Sequence, residues 1–285
     1  MAVNADSRLI EVKGLTLNVS LRGKGPPLLL INGLGGLIRS FDPLRAGLKD
    51  FTTITLDVPG VGLSQKPPSP LRMPAHAEVL AALLDELGLA RVDVFGVSWG
   101  GALAQEFALR YPARVGRLIL AATSAGPFLL MKPGDLLAFF GTGIKSPSRA
   151  LAQPSGRNSA RSLLRVGGVH RMVSLNTRSY YHQMIAVLGW TSLTRLWRLR
   201  APTLILAGET DPVTRLYNAR ILNKAIRRST LVVLPDEGHF FIVTSAAETA
   251  ASIRAFLRPA SPALPAPAAR PRAPSRAKGR AKAKA

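Results

Sequence analysis

The stretch at residues 96–101, GVSWGG, decides the fold of this chain because it places Ser98 where a strand turns into a helix. Before it, the run 92–95 (VDVF) predicts a buried strand. After it, residues 102–110 predict a helix that must end at Tyr111-Pro112. Glycines on both sides of the serine relieve the crowding of a sharp turn. The G-x-S-x-G spacing in this context predicts a nucleophilic serine exposed at the top of a sheet.

A serine nucleophile needs a histidine as its general base, and in this arrangement the histidine comes last in the chain. The chain contains four histidines, His76, His170, His182 and His239. Only His239 lies late enough to follow a further strand and an acid, in a loop just after the apolar run 231–234. The sequence therefore predicts that His239 takes the proton of Ser98.

The carboxylate that orients the histidine should lie between Ser98 and His239. Asp211 follows the strand-like run 203–207 (TLILA). Loops at the carboxyl ends of parallel strands are where such sheets gather their catalytic groups. We therefore expect Asp211 to be the acid. Glu209 and Asp236 are the alternatives for this role.

Composition excludes several classes of site. The chain has 285 residues, of which 47% are hydrophobic, enough for one large α/β domain. Because it has no cysteine and only four scattered histidines, we expect neither disulfides nor a metal site. We also expect no cofactor. The dinucleotide-binding pattern G-x-G-x-x-G would begin at Gly33, and Ile38 stands where it needs its last glycine. Without a signal peptide pattern or a bilayer-spanning run, the expected location is cytoplasmic.

The pattern of elements predicts an α/β fold with an insertion and a tail. Strand and helix patterns alternate along residues 1–125 and 201–257, so these should form a mostly parallel central sheet flanked by helices. Residues 126–200 break the alternation and predict an inserted helical cap. Residues 258–285 are rich in Ala, Pro, Arg and Lys and cannot bury enough apolar surface to fold. They predict a disordered tail.

The formal net charge of +22 is concentrated in two segments. Residues 132–200 contain 11 Lys and Arg against 1 Asp, and residues 258–285 contain 8 against none. We interpret the basic cap as a solvated surface, and contact with an anionic granule coat or with membrane lipid is the alternative. The tail between Arg270 and Lys284 is expected to bind polyanions weakly and without specificity.

An acyl-transfer site also needs two preorganised donors for the oxyanion. One should be the backbone N–H of Trp99, the residue after the nucleophile. The other should be the backbone N–H of Leu34, in the loop that follows the strand-like run 28–31. Many sites of this type carry His-Gly where this chain has Asn32-Gly33. Because the donor is a backbone group, we expect the hole to remain and Asn32 to order the loop.

Several longer blocks carry a closer resemblance to a known family. They are 57–62 (DVPGVG), 96–105 (GVSWGGALAQ), 120–126 (LAATSAG), 189–192 (GWTS) and 202–212 (PTLILAGETDP), together with Asn32-Gly33. In these blocks the chain resembles the intracellular depolymerases of medium-chain-length polyhydroxyalkanoates, members of the α/β-hydrolase superfamily. The resemblance extends from about residue 9 to residue 257.

This resemblance implies an α/β-hydrolase fold and a serine hydrolase with Ser98, Asp211 and His239 as its triad. The implied substrate is the insoluble polyester of storage granules in the cytoplasm. A polymer with long alkyl side chains needs an apolar groove near the triad. We expect the substrate to contact four residues, Asn32, Gly33, Trp190 and Phe240. Further apolar candidates are Phe128, Leu129, Leu130, Phe139, Phe140, Leu188 and Trp197.

Two alternative functions remain open at this point. A general carboxylesterase or a C–C bond hydrolase would use the same triad on small soluble substrates, and only substrate choice separates them from a depolymerase. A binding protein that has kept the fold but lost catalysis is a different class. The intact set of Ser98, Asp211 and His239 argues against that class.

Overall fold

A computed structural model of the protein describes residues 6–126 and 177–257. The expected tail and the larger part of the expected cap, residues 127–176, lie outside the described residues. Eight strands lie within the described ranges: β1 (Ser7–Val12), β2 (Leu15–Arg22), β3 (Pro27–Ile31), β4 (Thr52–Leu56), β5 (Val92–Val97), β6 (Val115–Ala121), β7 (Thr203–Gly208) and β8 (Ser229–Leu234).

These strands form one sheet in the order β1-β2-β4-β3-β5-β6-β7-β8. Strand β2 pairs antiparallel with β1 and β4, and the other neighbouring pairs are parallel. The carboxyl ends of β3 to β8 therefore meet at one edge of the sheet, where open α/β sheets place their ligands. The predicted α/β fold with a mostly parallel sheet is confirmed.

Helices cover both faces of this sheet. The described helices are α1 (Asp42–Ala46), α2 (Met73–Glu86), α3 (Trp99–Arg110), α4 (Thr177–Val187), α5 (Leu216–Ala225), α6 (Phe241–Thr244) and α7 (Ala246–Leu257), with short 3-10 helices at Ile38–Phe41, Pro112–Arg114 and Leu193–Arg198. Helices α2, α3 and α5 belong to the core on one face, and α1, α6 and α7 to the core on the other. Of these helices, none is long and apolar enough to cross a lipid bilayer.

Strand β3 shows how the sequence divides the core between the two faces. Leu28 and Leu30 pack in the cluster that contains α1 and α7, whereas Leu29 and Ile31 pack in the cluster that contains α2 and α3. All four side chains are fully buried. This is expected of a wholly apolar strand covered on both sides, because successive side chains point to opposite faces. The strand thereby places the loop that follows Ile31 at the edge where the carboxyl ends of β3 to β8 meet.

A buried glutamate joins the segment after α4 to the core. The carboxylate of Glu106, on α3, accepts hydrogen bonds from the indole N–H of Trp190 (2.9 Å) and from the guanidinium of Arg195 (2.9 Å). Glu106 is 1% exposed. A buried carboxylate is tolerated when it is paired and hydrogen-bonded, as it is here. Glu106 therefore ties the segment after α4 to the centre of α3.

We expect Glu106→Ala to lower the free energy of unfolding by about 2–4 kcal/mol, because it leaves the Trp190 indole and the Arg195 guanidinium without their acceptor. Urea denaturation followed by circular dichroism measures this change. Arg110→Ala is the matched control, since Arg110 is half-exposed and lies 3.8 Å from the same carboxylate. Because Arg110 is exposed and Glu106 keeps its two shorter bonds to Trp190 and Arg195, this variant should change the free energy by less than about 1 kcal/mol. Equal denaturation midpoints for Glu106→Ala and the wild type would contradict this role.

His76 is a buried histidine outside the predicted triad. It lies on α2 and packs edge-on against Trp99, with ring centroids 5.2 Å apart at an interplanar angle of 90°. The residue is 3% exposed, and its Nδ1 has no hydrogen-bond partner among the described residues. Burial lowers the pKa of His76 from 6.5 to about 4. The ring is therefore neutral in the folded protein at neutral pH.

This lowered pKa makes the protein less stable in mild acid. Between pH 6.5 and about 4 the unfolded chain binds a proton at His76 that the folded protein does not, so the free energy of unfolding falls as the pH falls. The loss from this single group approaches roughly 3 kcal/mol. In His76→Phe, which keeps a ring against Trp99, we expect a shallower dependence of unfolding free energy on pH. Urea titrations at several pH values test this, and parallel curves for the two proteins would contradict it.

Candidate active site

Ser98 forms the whole turn between strand β5 and helix α3. β5 ends at Val97 and α3 begins at Trp99, and Ser98 has φ of 55° and ψ of −120°. This positive φ is costly for a residue with a Cβ atom. A Cβ added at Gly96 would clash with the Gly100 carbonyl, and one added at Gly100 would clash with the carbonyls of β3 and its loop. The two glycines of G-x-S-x-G are therefore required by the close approach of α3 to the sheet.

Neighbouring groups from the β6 side hold this strained turn. The backbone N–H of Ser98 donates to the Ala121 carbonyl at 2.9 Å. The hydroxyl of Thr123 donates to the Ser98 carbonyl at 2.8 Å. Both backbone polar groups of the serine are thus bonded, so the strain is balanced by fixed hydrogen bonds.

The structure brings Ser98, His239 and Asp211 into one hydrogen-bonded chain. His239 Nε2 lies 3.1 Å from Ser98 Oγ, and His239 Nδ1 lies 2.8 Å from Asp211 Oδ2. Since a carboxylate only accepts, Nδ1 carries the ring proton and Nε2 is free to accept from the serine hydroxyl. Asp211 follows β7 and His239 follows β8. This geometry can activate a serine hydroxyl as a nucleophile.

Asp211 is held as a charged carboxylate by its surroundings. Its Oδ1 accepts from the backbone N–H groups of Val213 and Thr214, each at 2.8 Å, and its Oδ2 also accepts from the Thr214 hydroxyl at 2.5 Å. Burial on its own raises the pKa of Asp211. The charge and hydrogen bond of His239 and the bonds from Thr214 outweigh burial and hold this pKa below its ordinary value. Asp211 is therefore ionised at neutral pH.

The two alternative acids lie elsewhere. Glu209 and Asp236 are both exposed, and the backbone N–H of Asp236 donates to the Glu209 carboxylate at 3.3 Å. Of the three candidate carboxylates, Asp211 is the one that bonds to His239.

The loop after β3 lies against the nucleophile and is braced by buried side chains. Gly33 is so close to Ser98 that an added Cβ would stand 3.4 Å from the serine Cβ. The Asn32 amide donates to the Leu37 carbonyl at 2.7 Å and accepts from the Ser40 hydroxyl at 3.1 Å. Asn32 therefore orders the loop.

Asp57 is a second brace, and sequence reasoning did not assign it a role. Its carboxylate accepts from the backbone N–H of Ile38 (2.9 Å), from the backbone N–H of Leu63 (3.1 Å) and from the Asn18 amide (2.8 Å). It thereby ties the loop after β3 to the loop after β4. The sequence signal for this role is the spacing of Asp57 and Gly62 in the DVPGVG block. In the structure Gly62 (φ of 57°) lies so close to the Asp57 carboxylate that no Cβ would fit there.

A cavity of about 70 Å³ opens beside Ser98 and His239. The described residues that line it are Asn32, Gly33, Leu34, Gly36, Ser40, Val97, Ser98, His239, Phe240, Ile242 and Val243. Apart from Ser98, His239, Asp211 and Trp99, the sequence predicts five site residues: Asn32, Gly33, Leu34, Trp190 and Phe240. All of these except Trp190 line the cavity. Sequence reasoning missed Ser40, Ile242 and Val243, since nothing in their local pattern links them to the nucleophile.

The expected aromatic groove is only partly supported by the described residues. Phe240 lines the cavity and packs edge-on against the His239 ring, with centroids 5.6 Å apart. Trp190 does not line this cavity, and its indole N–H donates instead to the buried Glu106 carboxylate. Leu188 and Trp197 are more than half exposed. The candidates between Phe128 and Phe140 lie outside the described residues.

The other predicted oxyanion residue, Trp99, uses its side chain structurally. Its ring is 6% exposed and packs against His76. Its indole N–H donates to the backbone carbonyl of Gln183, on α4, at 2.9 Å. The ring therefore fills the space behind the elbow, and its backbone N–H begins α3 beside Ser98.

Comparisons with known proteins agree with this geometry. Residues 26–246 match the family model of the alpha/beta hydrolase fold. The chain is 38% identical over 266 residues to the poly(3-hydroxyalkanoate) depolymerase of Ectopseudomonas oleovorans, covering 88% of this chain and 92% of that protein. It is 28% identical to the 2-hydroxy-6-oxo-2,4-heptadienoate hydrolase of Pseudomonas putida, covering 84% of this chain and 91% of that protein.

A solved structure with the same architecture is that of a thermophilic esterase from Thermogutta terrifontis. The two share 26% sequence identity and a TM-score of 0.78, over 89% of this chain and 98% of the other. The family match, the relatives and the strand–elbow–helix geometry all point the same way. The chain belongs to the α/β-hydrolase family and is a hydrolase.

Proposed function

We propose that this hydrolase cleaves the ester bonds of intracellular medium-chain-length polyhydroxyalkanoate and releases 3-hydroxyalkanoic acids. The observation that carries the proposal is the hydrogen-bonded chain from Ser98 through His239 to Asp211 at an apolar cavity. The choice of this polymer as the substrate is supported by the 38% sequence identity to a poly(3-hydroxyalkanoate) depolymerase. A cytoplasmic location at the polymer granule is part of the same proposal.

The first half of the reaction forms an acyl-enzyme. Ser98 Oγ attacks the ester carbonyl while His239 Nε2, 3.1 Å away, takes the hydroxyl proton. Asp211 keeps the imidazole in the required tautomer and stabilises it when it becomes charged. When the tetrahedral intermediate collapses, the C–O bond to the leaving alcohol breaks and His239 gives its proton to that alcohol. The acyl group remains on Ser98.

The second half of the reaction repeats these steps with water. His239 removes a proton from a water molecule that attacks the acyl-enzyme carbonyl. Collapse of the second tetrahedral intermediate breaks the bond to Ser98 Oγ, which regains the proton from His239. The products are a carboxylic acid and free enzyme, so the reaction needs no further reactant.

The backbone N–H groups of Leu34 and Trp99 are proposed to bind the oxyanion. Trp99 is the first residue of α3, and the first N–H groups of a helix have no acceptor within it. Leu34 lines the cavity next to Gly33, which lies against Ser98. Two fixed donors on one side of the reacting carbonyl would stabilise the charge that develops there.

The walls of the cavity suit an alkyl group. Leu34, Val97, Phe240, Ile242 and Val243 supply most of its side chains. By the same measure of volume a water molecule needs only about 10–15 Å³, so about 70 Å³ admits a short hydrocarbon segment. An apolar wall with few polar groups is the usual form of a site for an apolar ligand. These residues would contact the acyl chain next to the scissile bond.

The second candidate function is hydrolysis of a small soluble ester or of a C–C bond. The 28% identity to 2-hydroxy-6-oxo-2,4-heptadienoate hydrolase favours it. The same triad would serve, because the two functions differ in the group that leaves after the serine attacks. The depolymerase proposal is preferred because the identity to its relative is higher.

Removal of the nucleophile or the base should abolish turnover of a soluble p-nitrophenyl ester. We expect Ser98→Ala and His239→Ala each to lower kcat by about 10⁶-fold. Asp211→Asn should lower kcat by about 10⁴-fold, since it disturbs the tautomer of His239. Glu209→Gln is the matched control and should retain kcat within about twofold, because Glu209 is exposed and bonds to Asp236. Full activity of Asp211→Asn would refute its assignment as the acid.

The substrate is tested with two purified polyester suspensions, one with methyl and one with pentyl side chains. We expect hydroxyacids to be released from the pentyl polymer, with Ser98→Ala as the blank. The physical reason is the apolar cavity, which gains more from a longer alkyl group. Turnover of soluble esters with release from neither polymer would refute the depolymerase proposal and favour the second candidate.

A further inference from the structure

Gln183 links the cap to both segments that carry the proposed oxyanion donors. It lies in the middle of α4 and is 1% exposed. Its side-chain oxygen accepts from the backbone N–H of Gly35 at 2.7 Å, and its backbone carbonyl accepts from the Trp99 indole at 2.9 Å. Gly35 directly follows Leu34, and Trp99 directly follows Ser98. One residue from a distant part of the chain thus contacts the loop after β3 and the elbow together.

The orientation of the Gln183 amide is determined by this contact. Because the backbone N–H of Gly35 can only donate, the amide atom that faces it must be the oxygen. The amide nitrogen is then buried and has no hydrogen-bond partner in the part of the chain that the structure describes. A methionine would fill the same space without burying an unpaired donor. What glutamine alone adds is the acceptor for Gly35.

The loop that Gln183 contacts needs such an acceptor. Residues 33–36 contain three glycines, which leave the backbone many conformations, and Gly35 has φ of 69°. Asn32 and Asp57 bond to positions 37, 38 and 40, after this stretch. The bond from Gln183 fixes the peptide between Leu34 and Gly35, which adjoins the Leu34 N–H.

We propose that Gln183 is a positioning residue, which holds the loop after β3 so that the N–H groups of Leu34 and Trp99 converge on the oxyanion. The inference rests on the proposed function, since it requires these two groups to be the oxyanion donors. Its effect is on the transition state, because the oxyanion forms only there. Loss of the bond should therefore lower kcat and leave KM nearly unchanged.

The test is Gln183→Met, assayed on a soluble p-nitrophenyl ester. Active sites are counted by the end point of labelling with a phosphonate, so misfolded protein does not affect the rate per site. We expect kcat per active site to fall about 10- to 100-fold, because small displacements of catalytic groups cost this much. KM should change by less than about threefold.

The matched control is Arg72→Ala. The Arg72 guanidinium donates to the carbonyls of Ile185 (3.1 Å) and Leu188 (2.9 Å), so its loss loosens the end of α4 without removing the acceptor for Gly35. We expect its kcat per active site to stay within about twofold of the wild type.

Three results would overturn the inference. The first is a wild-type kcat per active site in Gln183→Met. The second is a rise in KM that accounts for the whole loss of kcat/KM in this variant. The third is an equal loss of kcat in Arg72→Ala, which would assign the effect to the packing of α4 in general. A wild-type protein that turns over no ester would instead refute the proposed function itself.

Discussion

The close approach of helix α3 to the sheet is the constraint on which the rest of this structure depends. Gly96 and Gly100 allow the helix to begin one residue after β5 ends, and this contact forces Ser98 into a positive φ. The same contact sets the nucleophile beside Gly33 and places the Trp99 N–H at the first turn of the helix. A larger residue at either glycine would move the helix and with it every distance at the site.

Buried polar groups fix the loops and helices around the elbow by hydrogen bonds. Asp57 joins two loops, Glu106 joins α3 to the segment after α4, and Gln183 joins α4 to the elbow. Asp57 and Gln183 bond to glycine-rich loops that apolar packing alone would leave free to shift. A buried polar group that is bonded on both sides tolerates little displacement, because a broken bond leaves an unpaired group in an apolar surrounding. Ser98, His239 and Asp211 lie within this frame. Asp211 stays charged because its hydrogen bonds and the charge of His239 outweigh its burial.

The order and spacing of residues along the chain are enough to predict which side chains lie together at the end of the sheet. The sequence predicts Asp211 as the acid because its loop follows a buried strand, and among the three candidate carboxylates it is the one that bonds to His239. The expectation for Trp190 lacks support among the described residues for a physical reason. The local sequence does not determine whether an aromatic side chain contacts a ligand or a buried carboxylate. In this structure the Trp190 indole N–H donates to the buried Glu106 carboxylate.

The sequence by itself determined the parallel sheet, the elbow and the chain order of serine, acid and histidine. These are local properties, carried by apolar runs, by glycines at fixed offsets and by the positions of loops after strands. Only the tertiary structure decided that Ile242 and Val243 line the cavity, that Asp57 braces the loop after β3, and that Gln183 contacts Gly35 across 148 positions of the chain. Contacts between distant segments depend on how helices and strands pack, and no local pattern records that packing.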